Sequence, residues 1–428
     1  MKALLIILDG VADRSQEALG WKTPLQAAET PNLDSLAGAG ACGHMYPLTP
    51  GVCPSSDQAH WRILGYGDVP YPGRAALEAL GAGVTPADGD VVIAVNMATT
   101  VLEADRRYVQ ASPAHLPEEA AARIAASLAE YEPEFFDTRL HHLGGPFMVL
   151  VLSGGASPLV TDSDPLFYRL PVNPIVGFEG SPEAAGKTAS ELSRFSSWAA
   201  DILESHPVNV ERAGEGMTVV NYVLLKWPGV HQGLPSFESR WGFKAVASAS
   251  GLLYTGLAGA TGMELLHSGS QDVEEDLRQK LEVAHQALGE GFDFAFVHTK
   301  AADEAAHTGR PHRKVHVVEE LDRALEAVAG AFAREADLVT IITADHATPS
   351  GGAGDVIHSG ESVPVVMAGR NARVDAVQSF DEVSCAGGSL GLIRGVDIMP
   401  LVLNFTDRAR FGTSRLDPLD TPFRPNSP

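Results

Sequence analysis

The chain has few cysteines and no long apolar segment. Only 3 of its 428 residues are cysteine, and Cys42, Cys53 and Cys385 are widely spaced. This small, odd number provides neither a disulfide framework nor a CxxC metal site. The longest apolar runs, such as 3–8 and 147–152, are far shorter than the roughly 20 residues that span a bilayer. The first residues also lack a signal-peptide cleavage site, so we expect a cytoplasmic protein without a membrane segment.

Positive charge is scarce as well. Lys and Arg together number 31 against 54 Asp and Glu, and the net charge of -23 would repel a polyanion. We therefore expect no nucleic-acid partner. An acidic chain can still bind a small phosphorylated metabolite when metal ions supply local positive charge, because a bound divalent cation often dominates its site.

Short apolar runs alternate with longer segments of helical periodicity, a pattern typical of a mainly parallel sheet covered by helices. The predicted central strands are residues 2–8, 219–225, 294–298 and 338–343, and a strand at 364–367 is expected near the sheet edge. The sequence therefore predicts an α/β fold.

One internal stretch differs from the rest of the chain. Its strands are separated by proline-rich loops and alanine-rich helices, and turn-rich segments at 81–83 and 205–207 flank it. We predict that residues 86–210 form an inserted, smaller α/β domain. Residues 1–85 and 211–428 are then expected to form the core domain.

Acidic and imidazole side chains follow the ends of several predicted strands. Asp9 comes directly after the first strand, Asp345 and His346 come directly after another, and His358 precedes a third. In an open α/β sheet ligands bind beyond the carboxyl ends of the strands, so these residues are candidate ligands. Asp9, followed by a glycine, also fits an ordinary turn when it is considered alone.

Asp303 and His307 form a further candidate pair. They lie four residues apart, and one helical turn would place both side chains on the same face. A solvated surface pair explains this spacing equally well. The strand-end residues together nevertheless provide enough carboxylates and imidazoles for two metal ions, an arrangement that supports phosphoryl transfer: Asp9, Asp303, His307, Asp345, His346 and His358.

Ser56 lies in a polar turn that leads into a predicted helix. A serine in this position can cap a helix without any catalytic role. It can also be a nucleophile, since the amides of the helix N-terminus favour an incoming phosphate. Ser55 is the alternative nucleophile.

These motifs resemble the alkaline phosphatase superfamily and, within it, the archaeal-type cofactor-independent phosphoglycerate mutases. Further matching stretches run in the family's order over nearly the whole chain, including His60 with 64–66, 78–83, 161–165, 206–209 and 234–238. The motifs that carry the resemblance are Ile7-Leu8-Asp9-Gly10, Thr30-Pro31-Asn32-Leu33-Asp34, Ser56-Asp57, Asp303-x3-His307, Thr343-Ala344-Asp345-His346 and His358-Ser359.

The resemblance implies a phosphatase-like core that binds two divalent metal ions, Mn or Zn, and no organic cofactor. One ion would be held by Asp303, His307 and His358. The other would be held by Asp9, Asp345, His346 and the oxygen of Ser56. In the family that serine accepts the phosphoryl group and returns it to another hydroxyl of the same substrate. Coordination to a divalent cation would activate a serine hydroxyl for this step.

The inserted domain, expected to bind or cap the substrate, departs from the family pattern. The resemblance places arginine at four positions where this chain has other residues: Ala94, Gln110, Ser153 and Lys226. Neither a lysine nor a neutral side chain reproduces the bidentate contacts of a guanidinium group. The remaining candidate substrate-binding residues are Lys244, Arg74, Asn96, Arg106, Arg107 and Lys226. For Arg106 and Arg107, a solvated charge pair explains the sequence equally well.

We therefore predict a phosphoglycerate mutase-like enzyme with an altered substrate, a small phosphorylated or phosphonylated metabolite. A phosphatase or phosphodiesterase, in which water resolves the phosphoserine, is the first alternative, acting on a phosphonate, sugar phosphate or nucleotide. A genuine phosphoglycerate mutase is the second alternative. An inactive binding protein is the least favoured, because no metal ligand of the pattern is missing.

Overall fold

The computed structural model describes residues 1–351 and 357–409, which form two compact units. The first unit contains Met1–Tyr71 and the described residues from Leu234 onward. The second unit is Pro72–Gly233, inserted between these two segments.

The N-terminal segment of the first unit contributes two strands and three helices. Thr23 begins the first helix with a capping box that it forms with Gln26, and proline starts the second. The elements are β1 (Lys2–Leu8), α1 (Pro24–Ala27), α2 (Pro31–Gly38), β2 (Gly40–Tyr46) and α3 (Ser56–Ile63).

The second unit is a five-stranded antiparallel sheet with helices on its faces. The central strand β3 pairs with β4, β6 and β7. The elements are α4 (Arg74–Gly81), β3 (Val91–Glu103), β4 (Arg106–Ala111), α5 (Glu118–Leu128), β5 (Asp137–Gly144), β6 (Phe147–Ser153), α6 (Glu183–Glu204), α7 (Pro207–Gly214) and β7 (Tyr222–Val230).

The chain then returns to the first unit. Asp272 caps the longest helix of this segment by accepting a hydrogen bond from the backbone of Glu275. The elements are α8 (Phe237–Trp241), β8 (Ala245–Ser248), α9 (Leu252–Ala260), β9 (Glu264–Leu265), α10 (Val273–Gly289), β10 (Phe294–Thr299), α11 (Ala301–His307), α12 (Pro311–Ala324), α13 (Glu326–Ala329), β11 (Leu338–Thr343), β12 (Val363–Gly369), β13 (Gly391–Arg394) and α14 (Ile398–Phe405).

The sheet of the first unit has the strand order β13-β2-β12-β11-β1-β10-β8-β9 over the described residues. Every neighbouring pair is parallel except the two pairs that β12 makes. The strands β10 and β11 are buried throughout, and β1 is buried after its first residue, which explains their continuous apolar sequences. The predicted α/β fold with a mainly parallel sheet is confirmed.

One strand prediction is wrong. Residues 219–225 do not form a central strand of the core, because β7 belongs to the second unit and pairs there with β3. The strand predicted near the sheet edge at 364–367 is β12, which lies third from one edge, between β11 and β2. An apolar run indicates that a strand is buried on both faces, but it does not show which sheet the strand joins.

The second unit extends beyond the predicted range 86–210 at both ends. Helix α4 packs alanine side chains against β3, and β7 completes the sheet, so both elements belong with the insertion. The final residues of the predicted core, 410–428, lie outside the described part of the chain. No helix among the described residues is long and apolar enough to cross a membrane.

The two faces of the second unit's sheet differ. On one face, alternate residues of β3 such as Val91, Ile93 and Val95 pack beneath α5, α6 and α7. On the other face, Val92 and Ala94 pack against α4. Because side chains alternate along a strand, Asn96 shares the face of Ala94.

Candidate functional site

The predicted metal-binding residues of the first unit lie together at the carboxyl ends of its parallel strands. Strands β1, β10 and β11 are parallel neighbours and end together. Asp9 directly follows β1, Asp345 and His346 follow β11, and α11 follows β10 and carries Asp303 and His307. The common direction of the strands therefore brings together residues more than 300 positions apart in the sequence.

Asp9 has one oxygen that is held by the protein and one that is not. Its Oδ2 atom accepts hydrogen bonds from Tyr254 Oη at 2.7 Å and His298 Nε2 at 3.1 Å. Its Oδ1 atom is buried, has no hydrogen-bond partner among the described residues and lies 3.2 Å from His346 Nε2. Since an unpaired buried carboxylate oxygen is costly, the arrangement leaves Oδ1 suited to a cation.

Two further atoms converge on the same nitrogen of His346. Ser56 Oγ lies 3.0 Å from Nε2, and Asp345 Oδ2 lies 3.2 Å from it. Asp345 Oδ1 accepts the backbone N–H of Gly10 at 3.1 Å, whereas Oδ2 has no partner within the described chain. Asp9, Ser56, Asp345 and His346 thus form a compact, buried donor set, which we name the serine cluster.

The second donor set consists of Asp303, His307 and His358, which we name the histidine cluster. Asp303 Oδ1 lies 3.2 Å from His307 Nε2 and 3.6 Å from His358 Nε2. The other ring nitrogen of His358 is 2.9 Å from the carbonyl oxygen of Pro54, which fixes the ring orientation. One ligand atom from each residue lies within 4.8 Å of the others, and the same holds for Asp9, Asp303 and His346.

The electrostatics of the site favour bound cations. Burial, followed by the charges of Asp9 and Asp303, raises the pKa of Asp345 well above its usual range. Burial also opposes ionisation of Asp9, but His298 and His346 outweigh it and hold the pKa of Asp9 well below the usual value. Burial lowers the pKa of His346 to about 4, so its imidazole is neutral near pH 7. Burial also lowers the pKa of His358, whereas the hydrogen bond with Asp303 raises the pKa of His307. Buried carboxylates beside imidazole nitrogens are a donor set that divalent metals fit.

Sequence reasoning missed the residues behind Asp9. The ring of His298 stacks on Tyr254 with 3.7 Å between centroids, and His60 contacts both rings edge-on. The position of His298 at the end of β10 is a signal that could have identified it. Tyr254 lies on α9 and has no distinguishing pattern in the sequence, because only the fold brings it to Asp9.

The structure does not bring Lys244 to the two clusters. Its carbonyl oxygen accepts a hydrogen bond from the backbone of Asp293, so it lies at the edge where β8 and β10 begin. Its ammonium group lies 4.1 Å from the ring centroid of Phe292. The clusters lie at the opposite, carboxyl ends of these strands, so Lys244 contributes to neither cluster, and its substrate role stays a prediction.

Two of the predicted substrate-binding residues meet in the second unit. Arg74 and Lys226 lie 4.0 Å and 4.1 Å from the ring centroid of Trp227. Lys226 also donates a hydrogen bond to Asp164 Oδ2 at 2.8 Å, so its charge is already compensated. Ala94 on β3 is paired with Lys226 on the neighbouring strand β7.

The other three predicted substrate-binding residues are spread along the same sheet. Asn96 is buried on β3, and Arg106 is exposed at the start of β4. Arg107 packs over the ring of Tyr222 at 5.1 Å and donates to Thr100 Oγ1 at 3.4 Å. Within the second unit they do not form one site with Lys226.

Comparisons with known proteins show which family the chain resembles over most of its length. A family model described as the Metalloenzyme superfamily matches residues 1–405. A 2,3-bisphosphoglycerate-independent phosphoglycerate mutase of Methanocaldococcus jannaschii is 36% identical over 422 residues, covering 96% of this chain and 94% of that protein. The solved structure of a Pyrococcus horikoshii protein has a TM-score of 0.76 at 30% identity and covers 96% of this chain and 99% of that chain. A cofactor-independent phosphoglycerate mutase from Thermoplasma acidophilum has a TM-score of 0.63 at 29% identity, covering 95% and 100%.

Proposed function

Because the chain belongs to the Metalloenzyme superfamily, we propose that it is a two-metal phosphotransferase of the phosphoglycerate mutase type. It acts through a phosphoserine at Ser56 on a small phosphorylated or phosphonylated metabolite. The observation that carries the proposal is the convergence of Ser56 Oγ with Asp9 Oδ1 and Asp345 Oδ2 around one nitrogen of His346. A serine used only as a helix cap would not need three buried metal-type donors beside its hydroxyl.

Two divalent ions fit the two donor sets. Asp303, His307 and His358 would hold one ion, and Asp9, Asp345, His346 and Ser56 the other. Mixed imidazole and carboxylate donors suit both Mn and Zn, and we propose one of these. When bound, such ions lower the pKa of a coordinated hydroxyl and offset the negative charge of a phosphoryl group.

The chain's own residues supply the nucleophile and its orientation. Ser56 is the first residue of α3, at the helix end whose backbone amides favour negative charge. Its Oγ forms a bond to phosphorus while the bond from phosphorus to the substrate oxygen breaks, and the serine proton passes to that oxygen. In the second step, phosphorus bonds to a different hydroxyl oxygen of the same substrate or to water, and its bond to Oγ breaks. The proton of the accepting group returns to Oγ, so that Ser56 is regenerated. Transfer to the substrate gives isomerisation, and transfer to water gives hydrolysis.

The substrate is expected to differ from phosphoglycerate. The arginines that the family resemblance predicts are replaced at Ala94, Gln110, Ser153 and Lys226. The one remaining cation of this set, Lys226, is paired with Asp164 inside the second unit. We propose that the second unit still binds substrate, with Arg74, Asn96, Arg106 and Arg107 as candidate contacts, but with fewer guanidinium contacts to anionic groups.

A substrate screen tests this function. Phosphorylated three- to six-carbon acids, sugar phosphates, phosphonates and nucleotides are incubated with the metal-loaded protein, and both isomerisation and phosphate release are followed. We expect isomerisation of at least one compound and trapping of phosphate on Ser56, detected by mass spectrometry. Phosphate release without an isomer would favour a phosphohydrolase, and efficient turnover of 3-phosphoglycerate would favour a plain mutase. A chain that modifies no compound and never carries phosphate on Ser56 would contradict the proposal.

A further inference from the structure

A single hydroxyl group connects the two donor clusters. Thr348 Oγ1 lies 2.9 Å from Asp303 Oδ1 in the histidine cluster and 2.9 Å from His346 Nδ1 in the serine cluster. Thr348 is fully buried. Its hydroxyl contacts the same oxygen of Asp303 that faces His307 and His358.

The direction of these hydrogen bonds follows from the number of protons. A threonine hydroxyl has one proton, and an ionised carboxylate can only accept, so Thr348 donates to Asp303. Its lone pair then accepts the proton on Nδ1 of His346. With Nδ1 protonated, Nε2 of His346 presents a lone pair to Ser56, Asp9 and Asp345.

Two hydrogen bonds fix the backbone position of Thr348. Its backbone N–H donates to Ala12 at 3.0 Å, and its carbonyl oxygen accepts from the buried ammonium of Lys314 at 2.8 Å. Lys314 also donates to the carbonyl oxygen of Ala12 at 2.9 Å and to Asp13 Oδ2 at 3.2 Å. The loops that follow β1 and β11 are thereby tied together beneath both clusters.

The approach of Thr348 also explains the glycine after Asp9. Gly10 has φ +63°, and a Cβ atom there would lie 2.5 Å from Thr348 Oγ1 and 2.8 Å from Asp303 Cβ. A side chain at position 10 would push the hydroxyl away from its two partners. The glycine therefore leaves the space that the Thr348 bridge occupies.

We propose that Thr348 is a positioning residue for both metal sites, orienting Asp303 in one cluster and selecting the metal-facing nitrogen of His346 in the other. This inference rests on the two-metal function proposed above. Partners that hydrogen-bond to metal ligands commonly change metal affinity by about 10- to 100-fold when they are removed. Here one hydroxyl serves a ligand in each cluster, so its loss should weaken both ions.

Metal affinity tests the inference without reference to catalysis. The full-length protein is loaded with Zn²⁺ or, separately, Mn²⁺, and the ions are withdrawn by a chromophoric chelator of known affinity. Thr348→Val keeps the shape but removes the hydroxyl, and we expect both ions to bind about 10- to 100-fold more weakly. Thr348→Ser keeps the hydroxyl and should stay within about threefold of wild type. Thr348→Ala removes the hydroxyl without requiring space for a second methyl group and is measured in parallel.

Thr261→Val is the matched control, because Thr261 is also fully buried but donates its hydroxyl only within α9. Wild-type affinity in the valine and alanine variants would overturn the inference, even if their metal-free melting temperatures fall. Equal weakening by Thr348→Ser and Thr348→Val would overturn it as well, because any change of side chain at this position, rather than loss of the hydroxyl, would then account for the effect. A wild-type protein that binds neither ion would contradict the proposed function itself, which distinguishes the two failures.

Discussion

Ser56 Oγ and His346 Nε2 lie 3.0 Å apart, although the two residues are separated by 290 positions in the sequence. The contact places the first residue of α3 beside the carboxyl end of β11. The ring of His346 also stacks on that of His358, with 3.7 Å between centroids, so the serine and histidine clusters adjoin. A phosphoryl group on Ser56 would therefore lie next to both donor sets.

Ser56→Ala should abolish turnover while the fold and most of the metal content remain. The variant removes the proposed nucleophile but only one of about seven donor groups. We expect activity to fall by orders of magnitude, measured on whichever substrate the screen identifies, with metal content followed by elemental analysis.

Ser55→Ala is the matched control for this variant. Ser55 is the N-cap residue of α3, but its side chain makes no capping hydrogen bond. This variant should keep near wild-type activity. If Ser56→Ala kept its rate and Ser55→Ala lost it, the nucleophile would be Ser55 and the assignment of Ser56 would be wrong.

Removal of the metal ions should inactivate the enzyme and destabilise the fold. Asp345→Ala and His358→Ala each delete a donor from a different cluster, and each should lower the metal content of the purified protein. Ions that bind only the folded chain stabilise it by about 2.7 kcal/mol at 100 times the dissociation constant. Chelation should therefore lower the melting temperature as well as activity. The two-metal proposal fails if elemental analysis finds no divalent ion and added Mn or Zn changes neither property.

The strand-end positions of Asp9 and Asp345 could be predicted from the sequence because each closely follows an apolar run. Asp9 and Asp345 follow runs that become neighbouring parallel strands, and parallel strands end at the same edge. Their supporting partners could not be predicted in the same way. Tyr254 and Lys314 reach the site through tertiary packing, and nothing in their local sequence marks them. Thr348 lies two residues after His346, but its contact with Asp303 also depends on tertiary packing.

The errors in the fold have a related origin. The apolar run at 219–225 indicates burial on both faces, but it does not say whether the strand joins the core sheet or the insertion. The family motif that contains Lys244 likewise does not show that this residue lies before β8, at the end of the sheet away from both clusters. Sheet membership and strand direction are long-range properties, so local patterns leave both open.

Glu382 should make the stability of the protein depend on pH. Burial raises the pKa of this carboxyl to about 7, although hydrogen bonds from Thr23 and the backbone of Asp13 favour ionisation. This pKa lies above the ordinary value of 4.5, so the protonated Glu382 carboxyl stabilises the folded state. The stabilisation is fully present below pH 4.5 and is lost as the pH rises through about 7. Between pH 5 and 8 this group alone should reduce the free energy of unfolding by about 2 kcal/mol.

Urea denaturation of chelator-treated protein at pH 5, 6, 7 and 8 measures this effect. Glu382→Gln cannot ionise, so its free energy of unfolding should fall less with rising pH than that of the wild type. Glu361→Gln is the control, because the Glu361 side chain forms an exposed ion pair with Arg14. An unchanged pH dependence in Glu382→Gln would show that Glu382 ionises normally in the folded protein.

The last prediction concerns phosphoglycerate as a substrate. Ala94 packs against α4 and, like Ser153, carries no charge where the family resemblance predicts arginine. The guanidinium group of Arg139 donates a hydrogen bond to Ser153, but it also lies 3.6 Å from the carboxylate of Asp90. Lys226 forms an ion pair with Asp164. Breaking this pair so that Lys226 could contact a substrate would cost part of the free energy of substrate binding. The mutase of Methanocaldococcus jannaschii, assayed under the same conditions, provides the comparison.

Each charge-assisted contact to an anionic substrate is worth roughly 1.5 to 3 kcal/mol. The loss of two such contacts in the transition state would lower kcat/KM by a factor of about 100 or more, since ~1.4 kcal/mol corresponds to a tenfold change. We therefore expect weak or undetectable conversion of 3-phosphoglycerate by the metal-loaded protein, with another phosphoester or phosphonate turned over faster. A steady-state kcat/KM for 3-phosphoglycerate above about 10⁴ per molar per second, the ordinary range for enzymes, would show that the replaced arginines are dispensable and that the chain is a plain mutase.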